Sequence, residues 1–168
     1  MAAPKSNILG RDTDPTAFER DYLLGKVLGK GAFGLVRVAK DKRTGAISAC
    51  KSISKAKLVS RDDIDDVRRE AEILHLVSDH PNVARMIASY EDKTNVHFVL
   101  ELCRGGELFD KIISKGHFSE KEAAAYFRTM VEVVAHCHQL GVMHRYAPLV
   151  IGITYFVCCY YASYPFFS

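Results

Sequence analysis

The chain has 168 residues, 48% of them hydrophobic and 26% charged, with a formal net charge of +3 at pH 7. That composition excludes a disordered polymer and a polytopic membrane protein, and one or two small domains can bury a core at this length. So slight a positive charge gives no reason to expect nucleic acid or an anionic membrane as a partner. The average conceals a break: the 23 basic and 20 acidic residues all lie at or before Arg145, and Tyr146–Ser168 carries none. The five cysteines (Cys50, Cys103, Cys137, Cys158 and Cys159) are odd in number and lack C-x-x-C spacing, so neither a disulfide framework nor a zinc site is expected. Met1–Lys5 has no apolar run and residue 2 is Ala, which argues against a secretory leader and against N-myristoylation. A reducing, cytoplasmic setting is the expectation.

In chain order, residues 1–20 are polar and contain Pro, and a flexible lead-in is expected. Strand patterns follow at Tyr22–Leu28, Gly34–Lys40 and Ala46–Ile53, separated by Gly-containing turns as in an antiparallel meander. Ser60 reads as a helix N-cap with Asp62 and Asp63 in the first turn, where the helix dipole favours anions. Ile64, Val67, Ala71 and Leu74 then recur at helical spacing, and Pro81 closes the helix. Strands return at Val83–Tyr90 and Val96–Leu102. Gly105-Gly106 precedes a short helix around Glu107–Ser114. Ser119-Glu120-Lys121-Glu122 has the form of a capping box and predicts a helix to about Leu140, with Ala123, Phe127, Met130, Val131, Val134 and Cys137 as its apolar face and Gly141 as its stop.

The chemistry begins at Gly29-Lys30-Gly31-Ala32-Phe33-Gly34, a G-x-G-x-x-G run. Dinucleotide folds use the same spacing, but there the last glycine opens a helix. Here Leu35-Val36-Arg37-Val38-Ala39 continues as a β-branched strand, so the glycines sit in a hairpin whose N–H groups can approach a triphosphate. An ordinary Gly hairpin remains the competing reading. On the next strand, Ala49 and Lys51 share a face by period-2 alternation: a small residue leaves room for a flat base, and the ammonium reaches toward phosphates. A solvated strand lysine is the plainer reading. Glu70 on the following helix is placed to pair with Lys51; Glu72 is the alternative and points to another side. His136-Cys137-His138 occupies diverging helix faces, and Asp62-Asp63 with Asp65-Asp66 lacks an EF-hand loop, so a metal site is expected at neither.

With these residues in place, the sequence resembles the eukaryotic protein kinase family, and within it the calcium-dependent protein kinases. The matching stretches are Leu28–Val36, Ala49-Cys50-Lys51, Arg68-Arg69-Glu70, His80-Pro81-Asn82, Glu101–Asp110 and Gly141-Val142-Met143-His144-Arg145. The resemblance implies an α+β fold: a small lobe with a five-stranded antiparallel sheet and one helix, then the first helices of an incomplete large lobe. It divides the chain into a lead-in (1–20), the N-terminal part of a kinase domain (21–145) and an unrelated aromatic tail (146–168). It also implies ATP as ligand, with Leu28, Gly29, Lys30, Gly31, Ala32, Phe33, Gly34, Leu35 and Val36 forming the loop over it. Lys51 would contact the α- and β-phosphates while paired to Glu70. Leu100 would stand behind the adenine, the backbone at Glu101 and Cys103 would bond its edge, and Glu107 would lie near the ribose or a basic substrate residue. Leu28, Val36 and Ala49 would sandwich the base. Serine/threonine phosphorylation of a protein substrate, with Mg²⁺, is the family reaction.

The pattern then stops. The catalytic Asp that follows His-Arg in the family is Tyr146 here, and a phenol with a pKa of about 10 cannot replace a carboxylate at that step. No Asn or Asp occurs after Arg145 to hold Mg²⁺. As written, the chain is expected to bind ATP without transferring phosphate. The alternative is a non-catalytic nucleotide-binding pseudokinase or scaffold that occupies a kinase partner. Tyr146–Ser168 is expected to be translation past a splice or gene-model boundary; a membrane anchor at 149–168 is the alternative, weakened by Pro148 and Pro165. Large side chains of the 119–140 helix are expected to stay wet, each forfeiting roughly 1.5–3 kcal/mol, and so to favour aggregation.

Overall fold

The structure, a computed structural model, describes residues 7–10, 14–30, 34–105 and 108–142. Five strands form one antiparallel sheet: β1 (Tyr22–Lys30), β2 (Gly34–Asp41), β3 (Ile47–Ser54), β4 (Met86–Glu91) and β5 (Asn95–Glu101), in the spatial order β1-β2-β3-β5-β4. Helix α1 (Ala17–Asp21) precedes the sheet, and α2 (Arg61–Leu76) follows a 3-10 turn at Lys55–Lys57. Helices α3 (Leu108–Lys115) and α4 (Glu120–Gln139) come last. This is the α+β architecture expected of a kinase small lobe with the first helices of a large one.

The register sorts the side chains. Val36 lies opposite Lys51, Lys51 opposite Phe98, and Ala49 opposite Leu100. Residues opposite one another project to the same side, and alternation sends their neighbours to the other. One face therefore carries Ile53, Val96, Phe98 and Leu100, which pack with Val67 and Leu74 of α2. The other carries Ala39, Cys50 and Val99, which pack with Phe18 and Tyr22. Cys50 is fully buried, and burial pushes its thiol up to about 11, so it stays an unreactive thiol.

Both long helices start as the sequence predicts. Ser60 Oγ accepts from Asp63 N at 3.0 Å, and the Asp63 carboxylate accepts from Ser60 N at 2.7 Å. Ser119 and Glu122 repeat that reciprocal cap at α4. Helix α2 buries the predicted stripe, with Ile64 and Ala71 packed beside Val67 and Leu74.

Four expectations are corrected. Helix α2 ends at Leu76, well before Pro81, because Val77 and Ser78 turn back onto Ile73 and His75 through backbone hydrogen bonds. Strand β4 begins at Met86 rather than Val83, since Val83 N–H is taken by His80 in that turn. On α4 the buried residues are Val133 and Cys137, packed with Val77 and Val83, whereas Phe127 is 66% exposed and Val131 50% exposed. The apolar stripe of α4 is broader than the surface offered to it. The stretch 1–20, expected to be flexible, supplies two core anchors, Ile8 and Phe18.

Candidate functional site

Strand alternation brings Val36, Ala49, Lys51 and Leu100 onto the sheet face that α2 covers. Val36, Ala49 and Leu100 are 6%, 4% and 1% exposed, so the space beside Ala49 is apolar and closed behind by Leu100. Leu35 lies opposite Ser52, on the other face, and its side chain does not join this group. Leu28 is largely exposed on β1. Gly31, Ala32, Phe33, Glu107 and Tyr146 lie outside the described residues, as does the stretch 146–168.

Lys51 is buried, and its Nζ lies 2.5 Å from Oε1 of Glu70, which is also buried. Glu70, not Glu72, is therefore the partner: it sits three residues after Val67 and four before Leu74, on the face of α2 that meets the sheet. An ammonium has three donors. Among the described residues Lys51 Nζ has one hydrogen-bond partner, Glu70. Burial pushes the Glu70 carboxyl up, against the Lys51 charge that pulls it down, and the net direction is upward.

The glycine run has two characters. A Cβ on Gly29 would meet nothing within 4 Å, whereas one on Gly34 would sit 1.7 Å from the Ser52 carbonyl oxygen. Gly34 is required by the close passage of β2 over β3, whatever binds above it. At the end of β5, Glu101 N–H donates to the Arg85 carbonyl at 2.9 Å, which fixes the start of the segment leading to Cys103. An open cavity of about 440 Å³, lined by Ser78, His80, Arg85, Ile87 and Glu101 among others, borders this segment from outside. No group of three or more His, Cys, Asp or Glu side chains that could hold a metal occurs among the described residues. Nor is any helix among them long and apolar enough to cross a membrane.

A five-stranded antiparallel sheet with a small residue two positions before a buried lysine, and a helix glutamate paired to that lysine, are the arrangement of a protein kinase small lobe. The protein kinase domain family matches residues 22–146, and the chain belongs to that family. Its relatives are more particular. It is 49% identical over 142 residues to calcium-dependent protein kinase 34 of Arabidopsis thaliana, covering 84% of this chain and 27% of that protein. It is 57% identical over 124 residues to calcium-dependent protein kinase 11 of the same plant, covering 74% and 25%. With calcium-dependent protein kinase 24 of Oryza sativa subsp. japonica it shares 55% over 131 residues, covering 77% and 26%. The chain thus spans about a quarter of the length of these curated relatives. Protein kinases use ATP and Mg²⁺, and the domain here is related to calcium-dependent serine/threonine kinases.

Sequence reasoning missed a second buried pair, Lys55 Nζ to Glu91 Oε1 at 2.8 Å, because both residues sit next to turns where charge is ordinary.

Proposed function

We propose that these 168 residues form the ATP-binding lobe of a calcium-dependent-type serine/threonine kinase domain and bind ATP without transferring its phosphate. The buried Lys51 ammonium, anchored to Glu70 as its one hydrogen-bond partner among the described residues, carries this reading. Lys51 would hold phosphate oxygens, and Val36, Ala49, Leu100 and Leu28 would enclose the base. The backbone at Glu101 and Cys103 would meet the edge of the adenine. Gly29, Lys30, Gly31, Ala32, Phe33 and Gly34 would cover the phosphates. For Mg²⁺ the fit fails: the described residues offer no metal-holding cluster and Tyr146 brings no carboxylate, so no metal-assisted step is derived. Transfer fails for a second reason, since a phenol at Tyr146 is a poor acceptor for a substrate hydroxyl proton at neutral pH.

The test is titration of the purified chain with a fluorescent adenine nucleotide, beside transfer of labelled phosphate to a basic serine peptide. Saturable binding without transfer is expected. Lys51→Met should weaken binding at least 10-fold, and Ala49→Leu should do the same by filling the base site. Ala49→Leu keeps the test alive if burying Glu70 without its partner unfolds Lys51→Met. Transfer that disappears in Lys51→Met would overturn the inactivity; affinity unchanged in both variants would overturn the site.

A further inference from the structure

Residues Asn7–Gly10 make a tight turn that is built into the core. Gly10 N–H donates to the Asn7 carbonyl at 3.3 Å, and both Asn7 and Gly10 have positive φ (67° and 66°). Asn and Gly are the residues that tolerate that backbone. The turn drives Ile8, 2% exposed, into the cluster formed by Val67 and Leu74 of α2 with Ile53, Val96 and Phe98 of the sheet. Its two central N–H groups both reach Glu91 at the end of β4: Ile8 N to Oε1 and Leu9 N to Oε2, each at 2.8 Å. From the other side, Arg68 Nε of α2 donates to the Ile8 carbonyl at 2.5 Å.

The four residues therefore hold β4 through a buried carboxylate and α2 through an arginine, while Ile8 plugs the core between α2 and strands β3 and β5. Arg68 lies only two residues before Glu70, so whatever fixes Arg68 fixes the turn of α2 that carries the ion pair. Burial pushes Glu91 up, but the Leu9 N–H, the Lys55 ammonium and the Ile8 N–H outweigh it and hold the carboxyl below its ordinary range. The anchor is thus a satisfied one.

We propose that Asn7–Gly10 is a positioning strap, which clamps α2 against β4 and thereby keeps Glu70 on Lys51. The strap itself is independent of the ATP reading; only its consequence for affinity rests on that reading.

The test compares the full chain with Ile8→Ser, Arg68→Gln and, as control, Arg69→Gln, whose guanidinium pairs with Asp66. Amide hydrogen exchange in nucleotide-free protein is read across α2 and across β3 and β5. Exchange in α2 should quicken at least 10-fold in both Ile8→Ser and Arg68→Gln, with β3 and β5 unchanged in Arg68→Gln, and Arg69→Gln should match wild type. A merely structural anchor would loosen sheet and helix together or neither, and either result in Arg68→Gln overturns the strap. Should Ile8→Ser fail to fold, Arg68→Gln decides alone. Nucleotide affinity measured in parallel should fall with α2 protection. Loss of α2 protection in a chain that binds no nucleotide in any form would leave the strap standing and remove the ATP reading.

Discussion

Two lysine–glutamate pairs are buried in this small lobe, both with their lysine from β3 or just after it, and they behave in opposite ways. Glu91 accepts three donors (Ile8 N, Leu9 N and Lys55 Nζ), and its carboxyl is held below the ordinary range. Lys55 in turn also donates to the Asp92 carbonyl at 2.5 Å. Glu70 has Lys51 as its one hydrogen-bonded partner among the described residues, and burial leaves its carboxyl raised. The residue types match, and the heavier desolvation of Glu70 together with its smaller number of donors makes the difference. A saturated pair reads as structure. An unsaturated one, kept in place by a helix that is itself strapped down, fits the proposed nucleotide site.

The largest effect expected from breaking this comparison is on the saturated pair. Glu91→Gln leaves the Lys55 charge buried without a counter-charge and should cost about 3–5 kcal/mol. Glu70→Gln also leaves a buried lysine, Lys51, without its counter-charge, but it disturbs one hydrogen bond where Glu91→Gln disturbs three, and should cost less, about 3 kcal/mol. Urea midpoints of the two variants measure this directly. Equal losses, or a larger one at Glu70, would mean that donor count does not separate the pairs.

Acid sharpens the same contrast. A carboxyl with a lowered folded pKa contributes fully above its unfolded value, 4.5 for Glu91 and 3.8 for Asp92, and loses that contribution as pH falls through the folded one. For Asp92, burial pushes upward, but the hydrogen bonds from His97, Thr94 and Asn95 bring it to about 2. That shift is worth about 2 kcal/mol of stability, lost between roughly pH 4 and pH 2. His97 adds to the slope from higher pH. Burial lowers its pKa against the pull of Asp92, so the unfolded chain takes up the proton first as pH falls below 6.5. Glu70 runs the other way: its raised carboxyl makes the unfolded chain lose the proton first, and stability declines as pH rises above 4.5. Melting temperatures from pH 7 to pH 3 should show Glu91→Gln with a flattened acid limb and Glu70→Gln with an acid limb at least as steep as wild type.

How much of this was legible beforehand divides along the same line. Period-2 and period-3.6 patterns placed the five strands, the α2 stripe, both N-caps and the Lys51–Glu70 pair, because each depends on residues close in sequence or on alternation within one strand. Which way Leu35 faces was not legible, because a loop motif carries no facing information until the register with Ser52 is known. The strap was invisible since Ile8 and Glu91 are 83 positions apart and a buried carboxylate looks like any other turn acid in sequence. The face that α4 buries depended on what its neighbours offer, which periodicity within the helix cannot tell.

The smallest effect expected is at α4, which tests whether its wet residues carry any of the fold. Val133 is 8% exposed and packs with Val77 and Val83, while Phe127 on the same helix is 66% exposed. Val133→Ala removes buried methyl groups and should cost about 1–2 kcal/mol. Phe127→Ser removes a larger side chain but takes almost nothing out of the core, so the urea midpoint should stay within about 0.5 kcal/mol of wild type. Its visible consequence should be colloidal instead. An exposed aromatic one turn before exposed Val131 adds to the apolar surface open to self-association, so light scattering on concentration should fall in Phe127→Ser. A loss of stability comparable to Val133→Ala would show that α4 packs through Phe127, and that the helix meets the small lobe on a different face from the one described.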